Sequence, residues 1–335
     1  MHEVSVVYPL IMIQIMNNPL SRLECLPNEI LMYIFQYFDA RDLFRAFYNL
    51  NYHFNTLLQS LNYLSFTLLK YKSIEINDYI IFTSYIYTLT IYNTVDIDLN
   101  NFTNLHRLNL IQPTSNQLKQ IVFSTLPYLE HLTIGYEHYL YIDYIPEICQ
   151  KIFSNGFPCL KSCSLFEPRI LDIISDLTQS TQITILKMDM IDMLTYTDIL
   201  TLCPNLYCFQ FTINHREQEE FNPIKLHFNL KQIIIRFQSL FHTFSDYTMN
   251  YYLSCVPNLE QLTINELNYG VNINDYLNYH WFARSIHTYL LKLHRFKYYL
   301  SILDIKNIKK ENINHMKINF KHIHKNLYQS YLILN

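Results

Sequence analysis

Pro127-Tyr-Leu-Glu-His-Leu-Thr-Ile134 returns, little changed, as Pro257-Asn-Leu-Glu-Gln-Leu-Thr-Ile264. Both fit a frame Leu-x-x-Leu-x-Leu with conservative replacements, and the frame recurs at 86–91, 105–110, 160–165, 183–188, 206–211 and 230–235. Outlying copies stand at 61–66 and 293–298. Between 86 and 264, successive copies start 19 to 31 residues apart, about 25 on average. The fourth and sixth positions alternate as on a strand with one buried face. A near-constant period of this length marks a stack of repeats, each unit being one strand and its return.

The return segments have helical patterns. Thr114 and Ser115 suit the cap of a helix bearing Leu118, Ile121, Val122 and Leu126; residues 144–153 and 198–202 look similar, and Ser245 suits a cap for 246–253. Pro127, Pro158, Pro204 and Pro257 each fall two residues before a first strand leucine, where proline ends a helix and biases the chain toward extended geometry. The expected fold is an α/β solenoid over residues 61–300, with parallel strands lining one face and helices the other. A doubly wound α/β domain is the alternative, but the steady period counts against it, as do the only glycines, the isolated Gly135, Gly156 and Gly270. The region resembles degenerate leucine-rich repeats. It departs from them in having the usual ninth-position asparagine only once, at Asn214, so regular asparagine stacking is not expected.

Ahead of the repeats stands Leu26-Pro-Asn-Glu-Ile-Leu-Met-Tyr-Ile-Phe-Gln-Tyr-Phe-Asp-Ala-Arg-Asp-Leu43. Pro27 suits the first turn of a helix, and Asn28 and Glu29 favour the same positive end. Behind them Ile30, Leu31, Ile34, Phe35 and Phe38 wrap a broad apolar stripe round roughly three turns. Asp39 suits the cap of a second helix carrying Leu43, Phe44, Phe47 and Leu50, and Asn51 that of a third carrying Phe54, Leu57, Leu58 and Leu61. Units under about 40 residues seldom hold such side chains in a core unaided. These helices are therefore expected to lean on something else.

The stretch resembles the F-box family closely and continuously. The resemblance implies docking on a Skp-family adaptor and, through it, a cullin scaffold, while the rest of the chain selects a protein target for ubiquitin transfer. By the same resemblance Leu26, Pro27, Ile30, Leu31, Ile34, Phe35 and Leu43 fall on adaptor-facing positions. Where the family often has a Val-Cys pair, then basic residues and Trp, this chain has Leu50-Asn-Tyr-His-Phe54. The expected organisation is an N-terminal arm over 1–20, the F-box over 21–60, the solenoid over 61–300 and a C-terminal cap or tail over 301–335. In the last segment Met316, Phe320, Ile323 and Leu327 fit a helix, while Met316, Ile318 and Phe320 also alternate like a strand.

Composition narrows the function classes. Half of the 335 residues are hydrophobic, 16% are charged and the formal net charge is −3, so no basic excess points to nucleic acid or to an anionic membrane. Isolated glycines exclude Gly-rich phosphate-binding loops. Seven cysteines without a C-x-x-C pair suggest reduced structural thiols and a cytoplasmic or nuclear setting. The apolar run 4–16 lacks a basic start and a cleavage site, and is too short to span a membrane. His315, His322 and His324 share no recognised metal-ligand spacing, and Glu217, Glu219 and Glu220 look like a solvated loop rather than paired catalytic carboxylates. No catalytic residue, cofactor or metal is expected.

What remains is the outward face of the strands. If the fourth and sixth positions point to the core, the phase exposes Arg107, His131, Thr133, Ser162, Ser164, Lys187, Gln210, Gln232, Arg236, Gln261 and Thr263. Arg107, His131, Lys187, Gln210 and Arg236 are the candidate target contacts. The expected function is substrate recognition in a Skp-cullin-F-box ubiquitin ligase. The alternative is a leucine-rich-repeat scaffold with no ligase link.

Overall fold

A computed structural model describes residues 23–61, 63–69, 81–92, 97–135, 145–165, 178–213, 225–237, 246–267, 280–301, 310–325 and 328–334. The arm 1–20, Asn214 and the glutamates 217, 219 and 220 lie outside them.

Three short helices come first: α1 (Asn28–Phe35), α2 (Ala40–Phe47) and α3 (Tyr52–Ser60). Pro27 immediately precedes α1, and its carbonyl accepts from the Ile30 and Leu31 N–H groups. Asp39 and Asn51 cap the next two helices, accepting from the Arg41 and Phe54 N–H groups at 3.0 and 2.9 Å. Phe35, Phe47 and Phe54 meet at ring separations of 4.9 to 6.4 Å and form the bundle's centre.

The strands follow as β1 (Leu64–Leu68), β2 (Ile86–Tyr92), β3 (Arg107–Ile111), β4 (His131–Gly135), β5 (Ser162–Leu165), β6 (Ile185–Ile191), β7 (Cys208–Ile213), β8 (Gln232–Phe237), β9 (Gln261–Leu267), β10 (Arg295–Ser301) and β11 (Gln329–Leu334). Between them lie α4 (Ser115–Lys119), α5 (Ile145–Phe153), α6 (Met193–Leu202), α7 (Asp246–Ser254), α8 (His280–Tyr289) and α9 (Lys310–Ile323). Among the described residues 11 strands form one parallel sheet in sequence order, β1 to β11. Such an order has no point at which the winding reverses, so the layout is that of a solenoid and not of a doubly wound domain. The fourth- and sixth-position residues point inward, as at Leu108, Leu110, Phe209, Phe211, Leu262 and Ile264, all fully buried.

Two returns differ in length from expectation, the helix at 198–202 beginning already at Met193. The helix opened by Thr114 runs only to Lys119; Thr114 and Gln117 form a reciprocal capping box, and Gln120 then turns away to accept the Leu99 N–H at 2.6 Å. The C-terminal segment adds a rung: Met316 and Phe320 are buried while Ile318 is 65% exposed, which makes 310–323 a helix, and β11 extends the sheet past residue 300.

Asparagines do stack, at a position other than the ninth. Asn205, Asn229 and Asn258 each precede a first strand leucine, and their side-chain amides donate to the Thr181, Pro204 and Phe228 carbonyls one rung back, at 2.9 to 3.1 Å. Beside them His227 accepts the Leu230 N–H on Nδ1, so Nε2 carries the proton and donates to the Cys203 carbonyl at 2.9 Å. Burial lowers the His227 pKa, which agrees with this neutral form. All seven cysteines are free. Burial pushes the Cys149 and Cys203 thiols up to about 12, as expected of inert core thiols.

Candidate functional site

Two surfaces were anticipated, one on the helices and one on the sheet. On the helices, the seven adaptor-facing positions divide. Leu26, Pro27 and Ile30 are exposed, Ile34 is half-buried, and Leu31, Phe35 and Leu43 are closed in the chain's own core. The division follows from the width of the α1 stripe, since a stripe that wraps more than one face must serve more than one neighbour. The outer part continues through residues the motif positions did not include: Tyr33, 59% exposed, and Tyr37, whose hydroxyl donates to that of Tyr33 at 2.7 Å. Ile30, Tyr33, Ile34 and Tyr37 fall at offsets 0, 3, 4 and 7, which is one helix face. That spacing was the available signal.

The inner side of the bundle seals the end of the sheet. Besides capping α2, the Asp39 carboxylate accepts the Thr67 N–H of β1 at 2.9 Å. The Arg41 guanidinium lies 5.2 Å over the Phe66 ring, and Phe44 packs 4.9 Å from Phe82, itself 5.1 Å from Phe66. Burial, ahead of the opposing backbone bonds, raises the Asp39 pKa. An exposed sheet edge invites unwanted pairing; here the bundle covers it.

On the sheet, the five target candidates resolve into three places. Arg107 and His131 are direct partners on β3 and β4, and Lys187 and Gln210 are partners on β6 and β7, one outward step further along their strands. Arg236 does not share the row of Lys187: it pairs with Thr212, and Ile234 occupies the Gln210 row. Ser164, expected outside, is 7% exposed. Neither of the two main outward rows carries a carboxylate among the described residues, although Arg295 and Lys297 join Arg107 and Lys187 there.

A third row, which strand alternation does not reveal, runs along the amino ends of the strands. His106, Glu130, Lys161, Thr184, Tyr207, Lys231, Glu260 and His294 link rung to rung by backbone hydrogen bonds. Lys161 reaches back one rung to Glu130 and Lys231 forward one rung to Glu260, each at 3.0 Å. The Lys161 hydrogen bond holds the Glu130 carboxyl below its usual pKa. His131 lies 4.0 Å from Glu130, yet burial and then the Arg107 charge lower its pKa. At the far end a shallow cleft of about 540 Å³ is lined by Glu260, Gln261, His294, Arg295 and Tyr328 among others.

Among the described residues no three His, Cys, Asp or Glu side chains are grouped to hold a metal, and no helix is long and apolar enough to cross a membrane. A family model of the F-box domain matches residues 23–46, which span α1 and most of α2. No curated protein matches the chain. The helices at 23–46 are thus an F-box domain, an element that implies binding to a Skp-type adaptor of a ubiquitin ligase.

Proposed function

We propose that the chain is a substrate-recognition subunit of a Skp-cullin-F-box ubiquitin ligase, holding the adaptor on the outer face of α1 and a protein target on the outward face of a leucine-rich-repeat-like sheet. The observation that carries this reading is the exposed stripe of Leu26, Ile30 and Tyr33 within the matched F-box, left over after the bundle has filled its own core. It performs no bond chemistry: its part is to bring a target to the transfer machinery in the cytoplasm or nucleus, without cofactor or metal, and neither nucleic acid nor a membrane is its partner. Co-expression with a Skp-family adaptor and a cullin tests it. Co-purification of a stoichiometric complex supports the reading; a chain that stays folded and alone overturns it.

A second reading has its own support. Because Asp39 and Phe44 seal β1, the same helices serve as the end cap of a repeat scaffold with no ligase link. Failure of adaptor binding in that experiment favours this scaffold.

A further inference from the structure

Along the first rungs the row at the strand amino ends changes from ions to rings. Tyr63 lies edge-on to Tyr87 at 5.2 Å, Tyr87 stacks on His106 at 4.4 Å and 14°, and His106 stacks on Tyr128 at 5.8 Å. The outer members are open, Tyr63 being 76% and Tyr128 53% exposed, while the leucines of the same rungs already close the core beneath them. The exposed Arg107 guanidinium lies 5.8 Å over the Tyr87 ring. Among the described residues it pairs with no carboxylate, because Glu130, the nearest acid in the row, is held by Lys161. Rings that stack on one another lose little freedom when something lies on them, and Tyr and Arg are the usual anchors of an interface.

We propose that the Tyr63–Tyr87–His106–Tyr128 stack with Arg107 is the anchor for an extended acidic peptide segment, which sets an Asp or Glu carboxylate on the guanidinium and a neighbouring proline or aromatic side chain on the open rings. This rests on the target-holding half of the proposed function. Among the described residues no carboxylate compensates Arg107, and the guanidinium fork suits one. The stack crosses three rung spacings, roughly 14 Å, which matches about four residues of extended chain. A nucleic-acid strand fits less well: Glu130 and Glu260 interrupt the same row, so no continuous cationic track follows a phosphate backbone.

The probe is a displayed library of random dodecapeptides, selected against the full chain and, where it forms, its adaptor complex; recovered peptides are then synthesised with a fluorescent label. The expected peptides are enriched in Asp or Glu beside Pro, Tyr, Phe or Trp. Their affinity should fall by about tenfold or more in Arg107→Glu, where a charge-assisted pair is lost and a like charge replaces it. Tyr87→Phe, which keeps the ring, should bind like the parent, and the paired Tyr63→Ala and Tyr128→Ala change should weaken binding. Arg284→Glu, exposed on α8 and off the sheet face, should stay within about twofold. Failure to enrich any peptide, enrichment without acids, or acidic peptides indifferent to Arg107→Glu overturns the proposal. So does a uridine oligonucleotide that competes with the peptides and loses binding in the same variant. Adaptor binding is scored on the same preparations, so a chain that takes the peptides but no adaptor keeps the anchor and loses the ligase reading.

Discussion

Replacing Ile30 and Tyr33 together by Ala separates the two faces of α1. Ile30 is 47% and Tyr33 59% exposed, so about half of each side chain remains to be buried by a partner. Full burial of such side chains is worth about 1.5–3 kcal/mol each, so the pair contributes about 2 kcal/mol to docking, or about thirtyfold in Kd. Changes at exposed positions shift stability by only about 0.5 kcal/mol, so the melting temperature should hardly move. Phe35→Ala is the counterpart: at 1% exposure its loss opens a cavity among Phe47 and Phe54 and costs about 3–5 kcal/mol of folding stability. Calorimetric titration with purified adaptor, alongside thermal melts, reads both quantities. Parent-like adaptor affinity in the double variant would refute the docking face; a melting temperature lowered as far as that of Phe35→Ala would show that the stripe is not free.

Asp39→Ala removes the α2 cap and leaves the Thr67 N–H without its acceptor; a loss of about 2–3 kcal/mol is expected, with faster hydrogen exchange at the Thr67 amide as the specific sign. His324 is buried against Tyr328, and burial followed by the nearby His287 pushes its pKa down to about 3. The unfolded chain, titrating near 6.5, then binds the proton first, so stability should fall by about 1.4 kcal/mol per pH unit below about 6.5; denaturant midpoints should show a shallower fall in His324→Leu. Asn229→Ala breaks one link of the amide ladder and should cost about 1 kcal/mol by denaturant titration, whereas Asn229→Gln should not fully restore it. Gly156→Ala sets a Cβ about 2.5 Å from the Lys151 carbonyl oxygen and should destabilise by about 1–3 kcal/mol, lowering the melting temperature.

The strand phase was legible because leucine spacing and proline stops report the same boundary twice, and the caps at Asp39 and Asn51 because short polar side chains at those offsets have one local use. Other features depend on information a one-dimensional pattern does not hold. Met316, Ile318 and Phe320 satisfy both periods, and only the burial of the outer two with Ile318 turned away distinguishes helix from strand. Strand phase marks Arg236 as outward without giving its row; register places it beside Thr212, a full outward step beyond Gln210. The F-box motif named positions without saying which face each would serve, so Leu31, Phe35 and Leu43 were grouped with Ile30 although they fill the core. The ring stack escaped because Tyr63, Tyr87, His106 and Tyr128 are far apart in sequence and precede the alternating part of each strand.

These placements bear on one another. The bundle that offers Ile30 and Tyr33 outward also packs on the first rungs through Asp39, Arg41 and Phe44. Tyr63 begins the ring stack only three residues after α3 ends at Ser60. An anchor on β1–β4 therefore lies at the end of the sheet that carries the bundle, whereas a target gripped near the cleft at β9–β11 would sit some eight to ten rungs away, roughly 40–50 Å along the sheet. Under the proposed function, in which a target is held in a fixed relation to an adaptor, each rung between the two grips adds its own compliance. A stack of repeats coupled only to nearest neighbours accumulates that compliance with length. The exposed rings and the Arg107 guanidinium stand where this accumulation is least, next to the end of the sheet that the F-box seals.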